Sequence, residues 1–325
     1  MKILIVRFSS MGDIVLTTPI IRCIAQQIPN AEIHYLCKPA YKNILEINPY
    51  IKTIHSFVKD DTDILQGLRN EEFDYVIDLQ NNFRSHLLDR KLNITSATFP
   101  KLNIQKWILV HLKINKLPNI HLVDRYFMAV KKLIVSVVND GNGLDFFIDN
   151  TDYRKIDAFN IPQPFIAIAL GSQHKTKQLP TYKLIEICKK INSTIVLLGG
   201  ANDMGTANDI CIHINKNIVN LCGQLSIRES AVCIERAKML LTGDTGLMHI
   251  AAALNKPLVS VWGNTVPAFG MYPYMPQYPD YYHIVENNHL RCRPCSKLGF
   301  DKCPKKHFKC MNDIDINQIV HLLNE

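Results

Sequence analysis

MKILIVRFSSMGDIVLTTPIIRCIAQQ, residues 1–27, is the stretch on which the fold turns. An apolar run at 2–7 passes through Ser9-Ser10-Met11-Gly12-Asp13 into a segment, 14–28, with apolar residues at helical spacing. A short, fully apolar run that turns into a helix is the opening of a βαβ unit in a parallel sheet. A dinucleotide site would place G-x-G-x-x-G at that turn, and here Gly12 stands alone. The turn offers two hydroxyls and an acid instead.

The same alternation continues outward. Residues 32–37, 53–58 and 74–79 read as strands, with helical patterns at 39–47, 62–70 and 84–91. Helix-like segments fill 103–138, and the turn-rich NDGNGLDFFIDNTD (139–152) breaks the series. A second series runs through FIAIAL (165–170), TIVLLG (194–199) and MLLTG (239–243) to PLVSVWG (257–263). This predicts an α/β chain of two doubly wound halves with a cleft between them, divided near Pro162 and Pro164 into 1–157 and 158–325. An irregular cysteine-rich region and one helix at about 313–324 close the second half.

A chain of 325 residues gives each half enough length to bury its own core. The net charge of +8 suits an anionic partner: nucleic acid, phosphorylated lipid, nucleotide or acidic sugar. No window holds 18 consecutive apolar residues, and Arg7 and Asp13 interrupt what a signal peptide would keep apolar, which predicts a cytoplasmic protein. Of ten cysteines, Cys23, Cys37, Cys188, Cys211, Cys222 and Cys233 lie scattered in apolar stretches, as reduced core thiols do.

Every polar cluster follows a strand: FSSMGD, QNNFRS (80–85), GSQHKTKQLP (171–180), GGAND (199–203) and GDTGLMH (243–249). Ligands of open parallel sheets bind at those carboxyl ends. In GDTGLMH, Gly243 and Gly246 permit close approach, and Thr245, Gly246 and Leu247 offer amides at the start of a helix at 246–254. A diphosphate fits such a helix end, whereas Asp244 would repel phosphate and accept from sugar hydroxyls. The competing reading is a plain capped helix, with Asp244 or Thr245 as cap and His249 in the core. Arg84 is a candidate for an anionic acceptor, against a surface ion pair at a helix start.

Three blocks in order, ILIVRFSSMGDIVLTTPII (3–21), DYVIDLQNNFRS (74–85) and GDTGLMHIAAALNKPLVSVWGNT (243–265), resemble the signatures of the ADP-heptose:lipopolysaccharide heptosyltransferases. The resemblance implies the GT-B fold of two Rossmann-like domains, with the acceptor bound by 1–157 and the nucleotide sugar by 158–325. It implies inverting transfer of heptose from ADP-heptose to Kdo-lipid A or a heptosylated core, with no cofactor required and no nucleic acid partner. Asp13 is then the base that takes the acceptor hydroxyl's proton. Lys177 contacts the diphosphate, where a fixed cation helps most as the leaving group gains charge. The implied donor contacts are Ser172, Gln173, Asp203, Leu225, Asp244, Thr245, Gly246, Leu247 and His249; the implied acceptor contacts are Ser9, Ser10, Gly12, Gln80 and Arg84. An anionic glycolipid acceptor implies work at the cytoplasmic face of the inner membrane, where Lys101, Lys106, Lys113 and Lys116, interspersed with WILV, are candidates to meet the surface, against the outer face of an ordinary helix.

The remaining cysteines read Cys292-x2-Cys295-x7-Cys303-x6-Cys310. Four in a short loop, opening with CxxC, fit a structural zinc site, with disulfides or an iron–sulfur cluster as alternatives. Other functional classes stay open on residues alone: a transferase for another nucleotide sugar or acceptor, an NAD-dependent oxidoreductase, or a non-catalytic glycolipid-binding module.

Overall fold

The computed structural model describes residues 1–58, 62–214 and 217–325. The chain forms two compact units, one of Met1–Lys101 with Ile120–Phe147 and one of Leu102–Asn119 with Ile148–Glu325. The second unit thus begins at Ile148 rather than near 158, and it also claims a helical piece of the expected first half.

The first unit is built on β1 (Lys2–Val6), β2 (Glu32–Cys37), β3 (Thr53–Ser56), β4 (Tyr75–Asp78) and β5 (Ser96–Thr98). They lie in the order β3-β2-β1-β4-β5, and every pairing is parallel. Central strands of such a sheet are covered on both faces, so Ile3, Leu4, Ile5 and Val6 are all fully buried. The expected single helix at 14–28 is instead two, α1 (Met11–Val15) and α2 (Thr18–Gln27). Pro19 falls in the first turn of α2, where its missing N–H costs nothing, but it would clash inside one continuous helix. The segment at 39–47 is a 3₁₀ helix, Pro39–Ile44. The helices α3 (Thr62–Asn70) and α4 (Phe83–Leu92) follow where expected. The 103–138 segment resolves into α5 (Asn103–Leu112), which belongs to the second unit, and α6 (Leu122–Leu133), which belongs to the first.

The second unit's sheet is β6 (Phe165–Ala169), β7 (Thr194–Leu198), β8 (Ile218–Asn220), β9 (Met239–Gly243), β10 (Leu258–Trp262) and β11 (Tyr282–Glu286). The order is β11-β10-β9-β6-β7-β8, again parallel throughout. Around it run α7 (Asn150–Asp157), α8 (Thr181–Lys190), α9 (Met204–His213), α10 (Ile227–Arg236), α11 (Gly246–Ala253), α12 (Lys309–Asn312) and α13 (Ile316–Asn324). Helix α13 packs its apolar face, Ile316, Ile319 and Leu323, into the same core as Ile166, Ile168 and Val259. Among the described residues no helix is long and apolar enough to cross a membrane.

In each sheet the first strand has neighbours reached in opposite directions. β1 lies between β2 and β4, and β6 lies between β7 and β9. The chain therefore leaves the two central strands of each sheet on opposite faces, opening a crevice at their carboxyl ends.

Candidate functional site

In the first unit, the loops after β1 and β4 converge on that crevice. Arg7, 8% exposed, directly follows β1 and donates Nε to the Ser9 carbonyl (2.8 Å) and Nη1 to the Leu79 carbonyl (2.5 Å). Its Nη2 lies 2.7 Å from Asp13 Oδ2. Ser10 donates both its backbone N–H (3.2 Å) and its hydroxyl (2.8 Å) to the same Asp13 oxygen. Asp13 is therefore not a helix cap: Ser10 is the N-cap of α1 and Asp13 its third residue, reaching back to it. Among the described residues Asp13 Oδ1 accepts nothing, so one oxygen is anchored and the other is free. Burial opposes ionisation of Asp13, but the Arg7 charge and the Ser10 hydrogen bonds outweigh it and hold its pKa below the usual carboxylate value.

Gln80, just past β4, accepts from the Phe8 N–H through Oε1 (2.9 Å), tying the two loops together beside Asp13. Ser10's hydroxyl is committed to Asp13, whereas Ser9 and Gln80 remain at the crevice, both half-buried, with Gly12 buried behind them. Arg84 occupies the first turn of α4, exposed and, among the described residues, in no ion pair. The competing surface-pair reading is absent. Further along α4, burial and then the Asp78 charge push the Asp89 carboxyl up to about 7.

In the second unit, the loops after β6 and β9 meet in the same way. Lys177 Nζ lies 2.6 Å from Asp244 Oδ2, and Thr265 Oγ1 donates to that oxygen (2.9 Å). The expected phosphate cation and the expected hydroxyl acceptor are thus paired with each other. Both are largely buried, at 16% and 11% side-chain exposure. A Cβ on Gly243 would stand 2.7 Å from the Lys177 carbonyl oxygen, so the close approach of these loops requires glycine there. Thr245 is the N-cap residue of α11, but its hydroxyl turns to Thr242 Oγ1 (3.0 Å) and makes no cap bond. Among the described residues nothing accepts from the amides of Gly246 and Leu247. That helix end keeps unsatisfied donors at the positive end of its dipole.

The other expected donor contacts are spread around this crevice. Asp203 curls over its own turn: Oδ2 accepts from Gly200 N–H (2.8 Å), and a Cβ on Gly171 would collide with it. The Ser172 carbonyl accepts from Gln178 Nε2 (3.0 Å), Gln173 is exposed, and Leu225 is half-buried. His249, 2% exposed, is packed into α11's buried face, the position that the core reading assigned to it.

The family model for glycosyltransferase family 9 (heptosyltransferase) matches residues 62–303. The chain belongs to glycosyltransferase family 9. Lipopolysaccharide heptosyltransferase 2 of Escherichia coli K12 is 26% identical over 295 residues, covering 83% of this chain and 84% of that protein. The solved E. coli ADP-heptose lps heptosyltransferase II superposes with a TM-score of 0.74 at 21% identity, covering 100% of this chain and 98% of that one. The E. coli heptosyltransferase WaaC with ADP-2-deoxy-2-fluoro heptose superposes with a TM-score of 0.66 at 18% identity, covering 99% of each. The fold of this family 9 glycosyltransferase is accordingly GT-B, with a Rossmann-like sheet in each unit.

The late cysteines of this glycosyltransferase, Cys292, Cys295, Cys303 and Cys310, lie in one irregular segment, with Cys292 Sγ 3.9 Å from His307 Nε2. All are free thiols, and among the described residues no three of their sulfurs lie within 4.8 Å of one another. Burial pushes Cys295 up to about 11 and Cys310 up to about 12. The segment is organised around Arg293, inside the CxxC itself. This 7%-exposed guanidinium donates to the carbonyls of Trp262, Gly263, Thr265 and Asn287 and pairs with Glu286 at 2.7 Å. Thr176 then joins the segment to the Lys177 loop: its N–H and hydroxyl donate to the Phe300 carbonyl (3.0 and 2.9 Å). In return, the Phe300 N–H donates to Thr176 Oγ1 (2.8 Å).

Arg7, Thr176 and Arg293 are the site residues that the sequence reading missed. For Arg7 a signal existed, since a lone cation at the end of a buried strand requires a buried partner.

Proposed function

We propose that this glycosyltransferase moves heptose from ADP-heptose to the inner core of lipopolysaccharide, with inversion at the anomeric carbon. The observation that carries the reading is the division of labour between the two crevices: an anchored acid with one free oxygen in one unit, and a cation beside uncapped helix amides in the other. Asp13 Oδ1 accepts the proton of the acceptor hydroxyl as its oxygen attacks the anomeric carbon. Its lowered pKa makes it a weak base, so the proton moves late, when the attacking oxygen has become acidic. The diphosphate takes the α11 amides and Lys177; its arrival draws Lys177 from Asp244, which is then free for hydroxyls of the donor. Arg84, exposed at the start of α4, receives an anionic group of the acceptor.

Contact with the cytoplasmic face of the inner membrane belongs to the same proposal, with one change to its supports. Lys113 donates to the carbonyls of Val110, Cys292 and Pro294, and Lys101 to that of Asn81. Those two lysines hold the structure rather than face lipid. The apolar side of α5 remains, with Ile104 73% and Trp107 56% exposed.

The test is ADP release with a panel of nucleotide sugars and a truncated lipopolysaccharide core as acceptor. Release is expected with ADP-heptose only when acceptor is present. Turnover confined to a non-heptose donor would overturn the donor assignment, and stabilisation by NADH rather than ADP in a thermal shift would overturn the transferase reading altogether.

A further inference from the structure

A cluster at the carboxyl end of β4 is used by none of this chemistry. Asp78 is fully buried and Asp89 is 8% exposed. Asp78 Oδ1 accepts from the N–H groups of Gln80 (2.9 Å) and Asn81 (2.7 Å), and Oδ2 from the Ser85 hydroxyl (2.7 Å). The buried Asp89 Oδ1 has no hydrogen-bond partner. Among the described residues no lysine or arginine pairs with either carboxylate. Two buried acids side by side, one with an orphaned oxygen, offer oxygen ligands to a cation.

His86 completes the set. It stands one helical turn before Asp89 on α4, and one ligand atom from each of Asp78, His86 and Asp89 lies within 4.8 Å of the others. Its outer ring nitrogen is held by a neighbour. Asn81 Nδ2 donates to the Phe99 carbonyl (2.8 Å), so the amide oxygen Oδ1 faces His86 Nε2 at 3.0 Å. The other ring nitrogen, Nδ1, faces Asp78 Oδ2, 3.8 Å away. A hydrogen-bonded outer nitrogen with the inner one free is the usual orientation of a metal-bound histidine.

We propose that Asp78, His86 and Asp89 bind a divalent cation of the Mn2+ class. Two carboxylate oxygens and one imidazole nitrogen suit that class, whereas the thiols elsewhere in the chain are too soft to compete for it. The ion would bind the turn bearing Gln80 to the helix bearing Arg84, so it fixes the acceptor side of the site without touching the reacting atoms.

The experiment is Mn2+ titration of the whole protein, without nucleotide, followed by electron paramagnetic resonance. One bound ion per chain is expected. His86→Ala changes a half-exposed side chain, and Asp89→Asn keeps the volume of a buried one; each should weaken binding by about tenfold or more. A wild-type protein that binds no Mn2+ overturns the proposal. So does full wild-type affinity in either variant, checked for folding by circular dichroism. The readout is the ion itself, so failure here leaves the transferase reading untouched.

Discussion

At the scale of single residues, the Arg7–Asp13 pair is where stability and chemistry meet. Asp13→Asn keeps an oxygen for Ser10 and Arg7 but removes the charge that neutralises a guanidinium only 8% exposed. Loss of the charge-assisted bond should cost on the order of 1–3 kcal/mol. Loss of a general base should cost about 10²–10⁴ in turnover. Thermal unfolding and ADP release separate the two effects, and a folded Asp13→Asn protein with full activity would eliminate Asp13 as the base. The pH dependence has a definite sign. Asp13's pKa is lowered on folding, so the pair's contribution to stability is complete above the ordinary aspartate pKa and is lost as pH falls through the lowered value. Asp13 therefore contributes no loss of activity between about pH 7 and about pH 5, and a rate profile with an acid limb in that window would belong to another group.

At the scale of elements, the cysteine-rich segment acts as a brace. It is held by Arg293 at one end, and it holds the Lys177 loop through Thr176 and Phe300. Thr176→Val removes the hydroxyl that both donates to and accepts from Phe300, in a nearly isosteric side chain, and leaves the Phe300 amide unsatisfied. The expected result is a several-fold weaker ADP affinity with Asp13-side binding of acceptor unchanged, measured by calorimetry for each ligand. Unchanged ADP affinity would mean that the Lys177 loop holds its position without the brace. This role was not legible from spacing, because CxxC is the same pattern whether the cysteines hold a metal or flank a buried arginine. The strands divide in a similar way. Central strands such as β1 and β6 are apolar on both faces and announce themselves, whereas β5, β8 and β11 lie at sheet edges, half-buried, and show no such run.

At the scale of the molecule, the sequence made the two-part α/β plan legible because the parallel strands are buried on both faces and polar turns follow each of them. It placed Asp13, Gln80, Lys177 and Asp244 at carboxyl ends, and those are the loops that meet at the two crevices. Their pairing was not legible, since an ion pair between loops 67 positions apart depends on the strand order β9-β6 and on no local signal. The charge balance was legible only as a sum. A net charge of +8 draws the protein toward anionic surfaces, but Lys101 and Lys113 are spent on carbonyls, so charge alone does not locate the contact face. Ile104 and Trp107 lie three positions apart on α5, both more than half exposed, on a helix that ends near the exposed Leu112 and Ile114. Burying such side chains in an interface yields about 1.5–3 kcal/mol each, and each basic residue close to anionic lipid adds about 1 kcal/mol. The double variant Ile104→Ser with Trp107→Ser should therefore lose at least tenfold in sedimentation with phosphatidylglycerol vesicles, by the usual 1.4 kcal/mol per decade. ADP release with a soluble truncated acceptor should stay at the wild-type rate. If vesicle binding survives both substitutions but disappears in high salt, the contact is electrostatic and lies on another face.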